Sequence, residues 1–326
     1  MISPKKICII GAGAIGTAMA HELAGRPSNE VSLWSKELDV IADISTKGIN
    51  SKYFPKIKLN SAIKATANDG VMAQADILFL AIPSVAVLDV VEKYKDVFRS
   101  DAILVNLAKG FCSQNRLITD CLEAVCENPV VTLKGPSFAR ELINNQPTAF
   151  TLGSKNEKHF QLFDELFAGT CIYIDHSTDL KGVELASILK NIYAIAIGIV
   201  DANFDSPNLR SLVLTRAMNE MRQLLIHFGG LEQTMFNYCG FGDFTLTALN
   251  DLSRNRTLGL LIGKGFFTAD ISQKVVLEGR IAVNVFATKL LRIEETQVRY
   301  PILAELHKVF NVDYDVSDFV SNMLVN

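Results

Sequence analysis

Residues 6–20, KICIIGAGAIGTAMA, decide the fold of the first half of this chain. An apolar run predicts a buried strand, a G-x-G-x-x-G turn follows it, and an apolar-faced stretch predicts a helix directly after the turn. Gly11 permits the tight turn, Gly13 lets the backbone approach a pyrophosphate, and Gly16 lets the helix lie close to the strand. Free N–H groups at the helix N-terminus favour negative charge. The stretch therefore predicts a dinucleotide site with contacts from Gly11, Gly13, Ala14, Ile15 and Gly16.

The residues at the end of the second predicted strand help to indicate which dinucleotide, NAD or NADP, binds. That strand, VSLW, ends at Trp34 and is followed by Ser35 and Lys36. An NAD-selective site usually has an acidic residue at this point, where it binds the ribose hydroxyl. A hydroxyl and an ammonium can instead bind a 2′-phosphate, so Ser35 and Lys36 allow NADP as well as NAD. A solvated surface lysine is the alternative interpretation of Lys36.

The rest of the chain divides into two patterns near residues 177–182. Before this point, short apolar runs alternate with amphipathic stretches, and several runs are apolar on successive residues, as expected for strands covered on both faces. After it, long helical patterns continue to the end. We expect an α/β protein in which residues 1–178 form a Rossmann-type, mainly parallel doubly wound sheet. Residues 179–326 are expected to form an all-α substrate-binding domain. The predicted strands are KICIIGAG, VSLW, ADILFLAIP, AILVNLAKG, PVVTLKGPS, TAFTLGS and CIYIDH.

Composition excludes several functional classes. The 326 residues are 49% hydrophobic and 21% charged, with a net charge of -3, and no Lys/Arg-rich run provides a basic surface for nucleic acid. The six cysteines are scattered without a C-x-x-C pair or a histidine pattern, so neither a disulfide framework nor a metal site is indicated.

The N-terminus lacks a signal-peptide pattern, which predicts a cytoplasmic location. Lys190 and Asn191 interrupt the most apolar helix and argue against a membrane span.

Two lysines stand out as candidates for chemistry. Lys190 lies in the helical stretch ELASILKNIYAIAIGIV, residues 184–200, where its neighbours are mostly aliphatic. Burial would lower the pKa of Lys190 and suit it to donate the proton that quenches an alkoxide after hydride transfer to a ketone. Lys109 follows the strand AILVNLA, and we expect it at the carboxyl ends of the strands, where open α/β sheets bind ligands. The loops 82–87 and 134–141 and the boundary loop DLKG are expected at the same edge. A snorkelling lysine and a surface lysine are the respective alternatives.

Further motifs lie along nearly the whole chain and in a consistent order. They are GAGAIGTAMA, AKG, GPSFARE, GVELASILKNIYAIAIGIVD, LTRAMNE, GFGDFTLTALNDLSRNRTLGLLIGKG and VVLEG. Together they resemble NAD(P)-dependent glycerol-3-phosphate dehydrogenases of the bacterial type. The resemblance implies a reversible reduction of dihydroxyacetone phosphate to sn-glycerol 3-phosphate, a precursor of glycerophospholipids, by a homodimer.

The resemblance also assigns roles to individual residues. It implies that Lys190 is the proton donor and acceptor, that Lys109 contacts substrate and cofactor, and that Asp243 is catalytic and contacts the substrate. The other substrate contacts that it implies are Gly135, Ser137, Ser253, Arg254 and Asn255. The other cofactor contacts that it implies are Ala139, Arg254, Val276 and Glu278.

Some positions depart from the family pattern, and other functions stay open. Ile15, Leu88, Ala202 and Ala217 replace residues that are common in the family, although none of these positions supplies an acid, a base or a phosphate ligand. A related β-hydroxyacid or ketopantoate-type dehydrogenase is one alternative function. A module that senses NAD(P) without turnover is another, although sensing needs neither lysine.

The stretch NDLSRNRTLG, residues 250–259, carries two arginines with different expected roles. If Ser253 caps a helix, Arg254 and Asn255 lie in its first turn, where the N–H groups favour an anion. Residues two apart on a helix face different sides. We therefore expect Arg254 to bind phosphate and Arg256 to make a structural or surface contact.

Overall fold

The computed structural model describes residues 4–266, 278–290 and 299–324. Two compact units divide the chain. The first contains Met1–Ala108 and Cys112–Leu180, and the second contains Lys109–Phe111 and Lys181–Asn326. The short segment Lys109–Phe111 thus belongs to the helical unit, although the chain on both sides of it belongs to the other unit.

The first unit is built on an eight-stranded sheet with the order β3-β2-β1-β4-β5-β6-β7-β8. Strands β1 to β6 run parallel, whereas β7 pairs antiparallel with β6 and parallel with β8. The strands are β1 Lys5–Ile10, β2 Asn29–Trp34, β3 Lys64–Thr66, β4 Ile77–Leu80, β5 Ile103–Asn106, β6 Val130–Lys134, β7 Thr148–Gly153 and β8 Ile172–Ser177. The helices of this unit are α1 Ala14–Leu23, α2 Leu38–Lys47, α3 Ser84–Tyr94, α4 Ile118–Val125, α5 Ala139–Leu142 and α6 Lys158–Phe167. The predicted α/β class and mainly parallel sheet are confirmed.

The central strands are apolar on successive residues because both faces of the sheet are covered. In β1, Ile7 and Ile9 pack into one buried cluster, whereas Cys8 and Ile10 pack into another. Successive side chains of a strand point to opposite faces, so these clusters are the two core layers of a doubly wound sheet. The three-residue edge strand β3 escaped prediction because its sequence, KAT, has no apolar run.

The boundary loop DLKG is not at the edge where we expected it. It follows β8, and β8 runs antiparallel to β6. The carboxyl end of β8 therefore lies at the opposite sheet edge from the turn that follows β1. The expectation was wrong because a strand's direction is set by its pairing with neighbouring strands, which the sequence of the strand does not reveal.

The second unit has helices and no strand within its described residues. They are α7 Leu180–Asn203, α8 Pro207–His227, α9 Asp243–Leu249, α10 Arg254–Gly263, α11 Glu278–Leu290, α12 Pro301–Asn311 and α13 Phe319–Leu324, with short 3-10 and π-helical turns between some of them. Helix α7 is long and apolar enough to cross a membrane, but every residue of its most apolar window is buried inside the protein. That burial is typical of a core helix.

A buried carboxylate of α8 holds the start of α12. The two oxygens of Glu220 accept hydrogen bonds from the N–H groups of Ile302 at 2.8 Å and Leu303 at 3.0 Å. These donors lie in the first turn of α12, where no carbonyl of the same helix is available. Burial raises the pKa of Glu220 to about 7, although the two hydrogen bonds act in the opposite direction.

We expect Glu220 to make the stability of the protein depend on pH. Its carboxyl has an ordinary pKa of 4.5, so its contribution to the free energy of unfolding is complete below pH 4.5 and is lost as the pH rises through 7. The loss amounts to ~3 kcal/mol, because each pH unit in this interval costs about 1.4 kcal/mol. Urea unfolding at pH 5 and pH 8 measures it. Glu220→Gln should remove most of this pH dependence, and a variant as pH-dependent as the wild type would contradict the assignment.

Candidate active site

The turn after β1 has the shape that a dinucleotide requires. Gly11 adopts a left-handed backbone with φ of +113°, and a Cβ at this position would stand 2.5 Å from Ala81 O. A Cβ at Gly16 would stand 2.0 Å from Gly11 O, so only glycine lets α1 lie this close to the turn. By contrast, a Cβ at Gly13 would meet no atom of the described residues within 4 Å. The open side of Gly13 fits the close approach of a pyrophosphate.

The N-terminus of α1 completes this cradle. Within the described part of the chain, no side chain caps the helix at Gly13. The first N–H groups of a helix have no partner within the helix, so these donors suit a phosphate. Ala14 and Ile15 form the first turn here, and Ile15 also packs against the core. The residues of the turn therefore fit a dinucleotide.

The tip of β2 presents an exposed cation next to a buried hydroxyl. Ser35 is buried, and its Oγ accepts a hydrogen bond from the N–H of Glu37 at 3.1 Å. Lys36 is exposed and has no hydrogen bond or ion pair with any residue that the structure describes. Glu37, the acidic residue of this loop, forms an ion pair with Lys52 at 2.7 Å. The ammonium of Lys36 is thus the charge that this tip offers to a ligand.

The G-P-S loop after β6 is equally close-packed. A Cβ at Gly135 would stand 2.2 Å from Ala149 O, which requires glycine. Ser137 Oγ donates to Gly135 O at 2.9 Å and so fixes the loop. Ala139 begins α5 and packs against the core of the first unit. Of the predicted cofactor residues, Val276 lies outside the described residues.

The second unit brings two lysines to one carboxylate. Lys190 Nζ donates to Asp243 Oδ1 at 2.6 Å and to Thr247 Oγ1 at 2.8 Å. Lys109 Nζ donates to Asp243 Oδ2 at 2.9 Å, so the two oxygens of Asp243 each bind one ammonium. Asp243 is only 1% exposed and Lys190 only 4%. Asn191 supports the arrangement, because its amide donates to Lys109 O at 3.2 Å.

The electrostatics of this cluster adjust the proton affinity of one lysine. Burial, which has the largest effect, and the positive charge of Lys109 both lower the pKa of Lys190, and its net value is about 7 instead of the ordinary 10.5. The carboxylate of Asp243 acts in the opposite direction and limits the change. The predicted lowering of this pKa is confirmed. An amine of this kind can give and take a proton near neutral pH.

The start of α10 separates its two arginines. Ser253 caps the helix, because its Oγ accepts from the N–H of Arg256 at 3.3 Å. The guanidinium of Arg256 is buried and forms ion pairs with Asp201 at 2.5 Å and Asp251 at 3.1 Å. Arg254 is exposed and makes no hydrogen bond or ion pair with the described residues. The predicted structural contact of Arg256 is confirmed, and Arg254 is an exposed cation at the first position of α10.

The N-terminus of α11 contacts both the start of α10 and helix α7. Asn255 Oδ1 accepts from the N–H of Gly279 at 3.2 Å. A Cβ at Gly279 would stand 2.8 Å from Asn191 O, so the start of α11 lies directly against α7 beside Lys190. Glu278 is the first residue of α11. Through Gly279, Asn255 is therefore packed close to Asn191 and Lys190 within the second unit.

Two residues of the lysine cluster were not among the predicted site residues. Thr247 lies four residues after Asp243 on α9, and residues with that spacing share a helix face, so the helical pattern could have identified it. Asn191 is next to Lys190, and no sequence pattern showed that its amide would bind Lys109 O. Three departures from the family pattern, Leu88, Ala202 and Ala217, are buried core residues. Across residues 4–266, 278–290 and 299–324, no group of three or more His, Cys, Asp or Glu residues could hold a metal ion.

Comparison with known proteins gives a consistent result over the whole chain. Residues 6–160 match the family model described as the NAD-dependent glycerol-3-phosphate dehydrogenase N-terminus, and residues 179–321 match the one for its C-terminus. A glycerol-3-phosphate dehydrogenase [NAD(P)+] of Clostridium acetobutylicum is 32% identical over 308 residues, which are 93% of this chain and 92% of that protein.

Solved structures agree with this result. A glycerol-3-phosphate dehydrogenase from Coxiella burnetii has a TM-score of 0.88 at 28% identity, with 99% of both chains covered. A glycerol-3-phosphate dehydrogenase of Plasmodium falciparum, with a TM-score of 0.90 at 22% identity, covers 99% of this chain and 96% of its own and shares the fold.

Proposed function

The chain belongs to the NAD-dependent glycerol-3-phosphate dehydrogenase family, and from this premise we propose how its own residues carry out the reaction. The enzyme catalyses the reversible NAD(P)H-dependent reduction of dihydroxyacetone phosphate to sn-glycerol 3-phosphate, the head-group precursor of glycerophospholipids. The observation that carries the proposal is the cluster of Lys190, Asp243 and Lys109, in which one ammonium has a pKa of about 7.

Lys190 supplies the proton. When bound, the nicotinamide cofactor supplies the hydride that reduces the carbonyl carbon of the substrate. Negative charge then develops on the carbonyl oxygen, and the ammonium of Lys190 stabilises this charge and donates a proton to it. In the oxidation direction, neutral Lys190 takes the proton from the hydroxyl of glycerol 3-phosphate.

Asp243 and Lys109 hold Lys190 ready for this step. Asp243 orients the ammonium through the 2.6 Å hydrogen bond and keeps the charged form accessible in a buried place. Lys109 binds the same carboxylate, and its positive charge lowers the pKa of Lys190, whereas Asp243 raises it. Lys109 is also partly exposed, so its ammonium can contact substrate and cofactor.

The phosphate of the substrate binds at the start of α10. Arg254 offers a guanidinium fork, and Ser253 and Asn255 lie in the same turn. A guanidinium and a helix N-terminus both favour a phosphate dianion. Gly135 and Ser137 of the G-P-S loop complete the substrate contacts.

The cofactor binds at the glycine turn of residues 11–16, with Ala139, Val276, Glu278 and Arg254 as further contacts. Ser35 and Lys36 bind a 2′-phosphate and favour NADPH, because Lys36 is exposed and has no acidic partner among the residues described. Lys36→Glu should raise KM for NADPH about tenfold and leave KM for NADH within twofold, the difference of one charge-assisted contact. Equal effects on both cofactors would remove Lys36 from this role.

A substrate panel tests the function directly. The purified protein should oxidise NADPH or NADH when given dihydroxyacetone phosphate, and should reduce NAD(P) with sn-glycerol 3-phosphate. Ketones with a carboxylate in place of the phosphate, ketopantoate among them, should give rates at least a hundredfold lower, because the proposed site at Arg254 and the start of α10 favours a phosphate dianion. Turnover of ketopantoate alone would favour the alternative dehydrogenase, and cofactor binding without any turnover would favour a sensor.

We expect the pH dependence of the two directions to be opposite. Reduction needs protonated Lys190, whose pKa is about 7. At saturating substrates, kcat for reduction should fall about tenfold per pH unit above 7, while kcat for oxidation should rise up to pH 7 and then level off. The second phosphate pKa of the substrate, about 6, lies below the pH range in which kcat for reduction is expected to fall. A reduction rate that stays constant to pH 9 would show that Lys190 does not supply the proton.

The protein is further proposed to act in the cytoplasm as a homodimer without an integral membrane segment. Six large apolar side chains are exposed between residues 231 and 252 of the second unit: Leu231, Phe236, Tyr238, Phe241, Leu249 and Leu252. Such a concentration of exposed apolar surface supports a subunit interface. Sedimentation should give twice the chain mass of 35.8 kDa, and Phe236→Asp with Phe241→Asp should give the monomer. A monomeric wild type would contradict the dimer.

A further inference from the structure

Asn50 is a fully buried polar residue that has no part in the chemistry described above. It lies three positions beyond the end of α2 at Lys47. Its amide nitrogen donates to Ala12 O at 3.0 Å and to Thr17 Oγ1 at 2.9 Å. Ala12 belongs to the glycine turn and Thr17 to the first turns of α1. One side chain from a distant part of the sequence therefore holds both sides of the turn.

A third hydrogen bond closes this network. Thr17 Oγ1 donates to Ala12 O at 3.2 Å, so Ala12 O accepts two hydrogen bonds, one for each lone pair. The two N–H donors of Asn50 are also both used. The carbonyl of Ala12 is thus fixed toward the interior of the first unit.

The orientation of that carbonyl determines the orientation of the next N–H group. The described residues contain no cis peptide bond, and a trans peptide points its C=O and N–H in opposite directions. Because Ala12 O is held toward Asn50, the N–H of Gly13 points away from Asn50. Gly13 is the glycine of the turn with open space beside it, and its N–H makes no backbone hydrogen bond in the part of the chain that is described.

Packing alone does not account for an asparagine here. Asn50 Oδ1 is buried and has no hydrogen-bond partner among the described residues. An unsatisfied buried acceptor is destabilising, and an aliphatic side chain would fill the same space without that penalty. What the amide adds is its two donor bonds, and both go to the turn or to the helix that follows it.

We propose that Asn50, together with Thr17, is a positioning residue for the cofactor. It holds the peptide between Ala12 and Gly13 so that the Gly13 N–H is available to the pyrophosphate before the cofactor binds. Donors fixed in advance bind a phosphate more tightly than donors that must be ordered on binding. The proposal rests on the cofactor site proposed above, and it concerns the part of the molecule that NAD and NADP share.

Fluorescence titration of the full-length protein with NADPH and with NADH tests the proposal. Asn50→Ala should raise the Kd of both cofactors by the same factor, about tenfold, since both contain the pyrophosphate. Asn50→Asp should raise both further, because a carboxylate oxygen would face Ala12 O. At saturating cofactor, KM for dihydroxyacetone phosphate should stay within twofold of the wild type.

Asn128→Ala is the matched control. Asn128 Nδ2 also donates to two backbone carbonyls of the first unit, Arg99 O at 2.7 Å and Ala102 O at 3.0 Å, but neither belongs to the glycine turn. This variant should lose a similar amount of thermal stability and keep the wild-type Kd. If Asn128→Ala weakens cofactor binding as much as Asn50→Ala does, a general loss of stability explains both and the proposal fails.

If Asn50→Ala does not fold, two variants of Thr17 test the same proposal. Thr17→Ser keeps the hydroxyl and should bind cofactor like the wild type, whereas the isosteric Thr17→Val should raise both Kd values about threefold. Gly13→Val distinguishes the proposed cofactor site from the proposed positioning role of Asn50 and Thr17. If Gly13→Val binds cofactor normally, the proposed cofactor site is wrong. If Gly13→Val loses binding while the Asn50 and Thr17→Val variants keep the wild-type Kd, only the positioning role is overturned.

Discussion

Replacing Lys190 with alanine is expected to lower kcat for the reduction of dihydroxyacetone phosphate about a thousandfold. The substitution removes the group that donates the proton to the carbonyl oxygen, whereas Lys109 and Asp243 stay paired. The Kd for NADPH should stay within twofold, since Lys190 is not among the proposed cofactor contacts. Stopped-flow kinetics and fluorescence titration measure the two quantities.

Lys190→Ala is expected to fold, because Asp243 keeps a positively charged partner. Asp243 is buried, and a buried carboxylate without a counter-charge is strongly destabilising. In Lys190→Ala, Lys109 still pairs with Asp243 at 2.9 Å, so the carboxylate keeps one partner. Lys181→Ala is the matched control, because Lys181 lies on the same helix and is exposed. A Lys190→Ala enzyme that keeps more than a tenth of the wild-type kcat would assign the proton transfer to another group.

Replacing Arg254 with alanine is expected to raise KM for dihydroxyacetone phosphate about a hundredfold at saturating cofactor. A guanidinium that binds a phosphate through two charge-assisted hydrogen bonds contributes about 3 kcal/mol, which corresponds to this factor. The effect should be specific to the phosphate. For dihydroxyacetone, which lacks the phosphate, kcat/KM should change less than threefold between the wild type and Arg254→Ala.

Arg256→Ala provides the comparison two residues away. Its guanidinium is about 9% exposed and is held by Asp201, Asp251 and Ala248 O. Removing it should lower the free energy of unfolding by ~3 kcal/mol, the usual cost of breaking a buried pair, while KM in the folded fraction changes little. Equal increases in KM from the two substitutions would contradict the division of roles between the arginines.

Much of the first unit could be predicted from its sequence, because its signals are local. The apolar run of β1, the three glycines and the start of α1 lie within fifteen residues, and each glycine meets a steric requirement of its immediate surroundings. The seven predicted strands are present, while the polar edge strand β3 was missed because it is short and has no apolar pattern. Ser253 as the cap of α10 was likewise a local prediction.

The active-site candidates were predicted with less detail. Burial of Lys190 and the direction of its pKa followed from the aliphatic residues around it in the sequence. Its partners did not, because Asp243 is 53 positions away from Lys190 and 134 from Lys109. The roles of Lys109 and Asp243 came only from the family resemblance, and Thr247 was overlooked.

The sequence by itself determined the α/β class, the glycine turn and the identity of the family. Each of these depends on periodicity or on residues close together in the chain. Only the tertiary structure decided that β7 and β8 run against the other strands, that one carboxylate binds two lysines, and that Asn50 holds the turn at Ala12. These features depend on which distant segments pack together, and that choice is made by the free energy of the whole fold rather than by any local stretch.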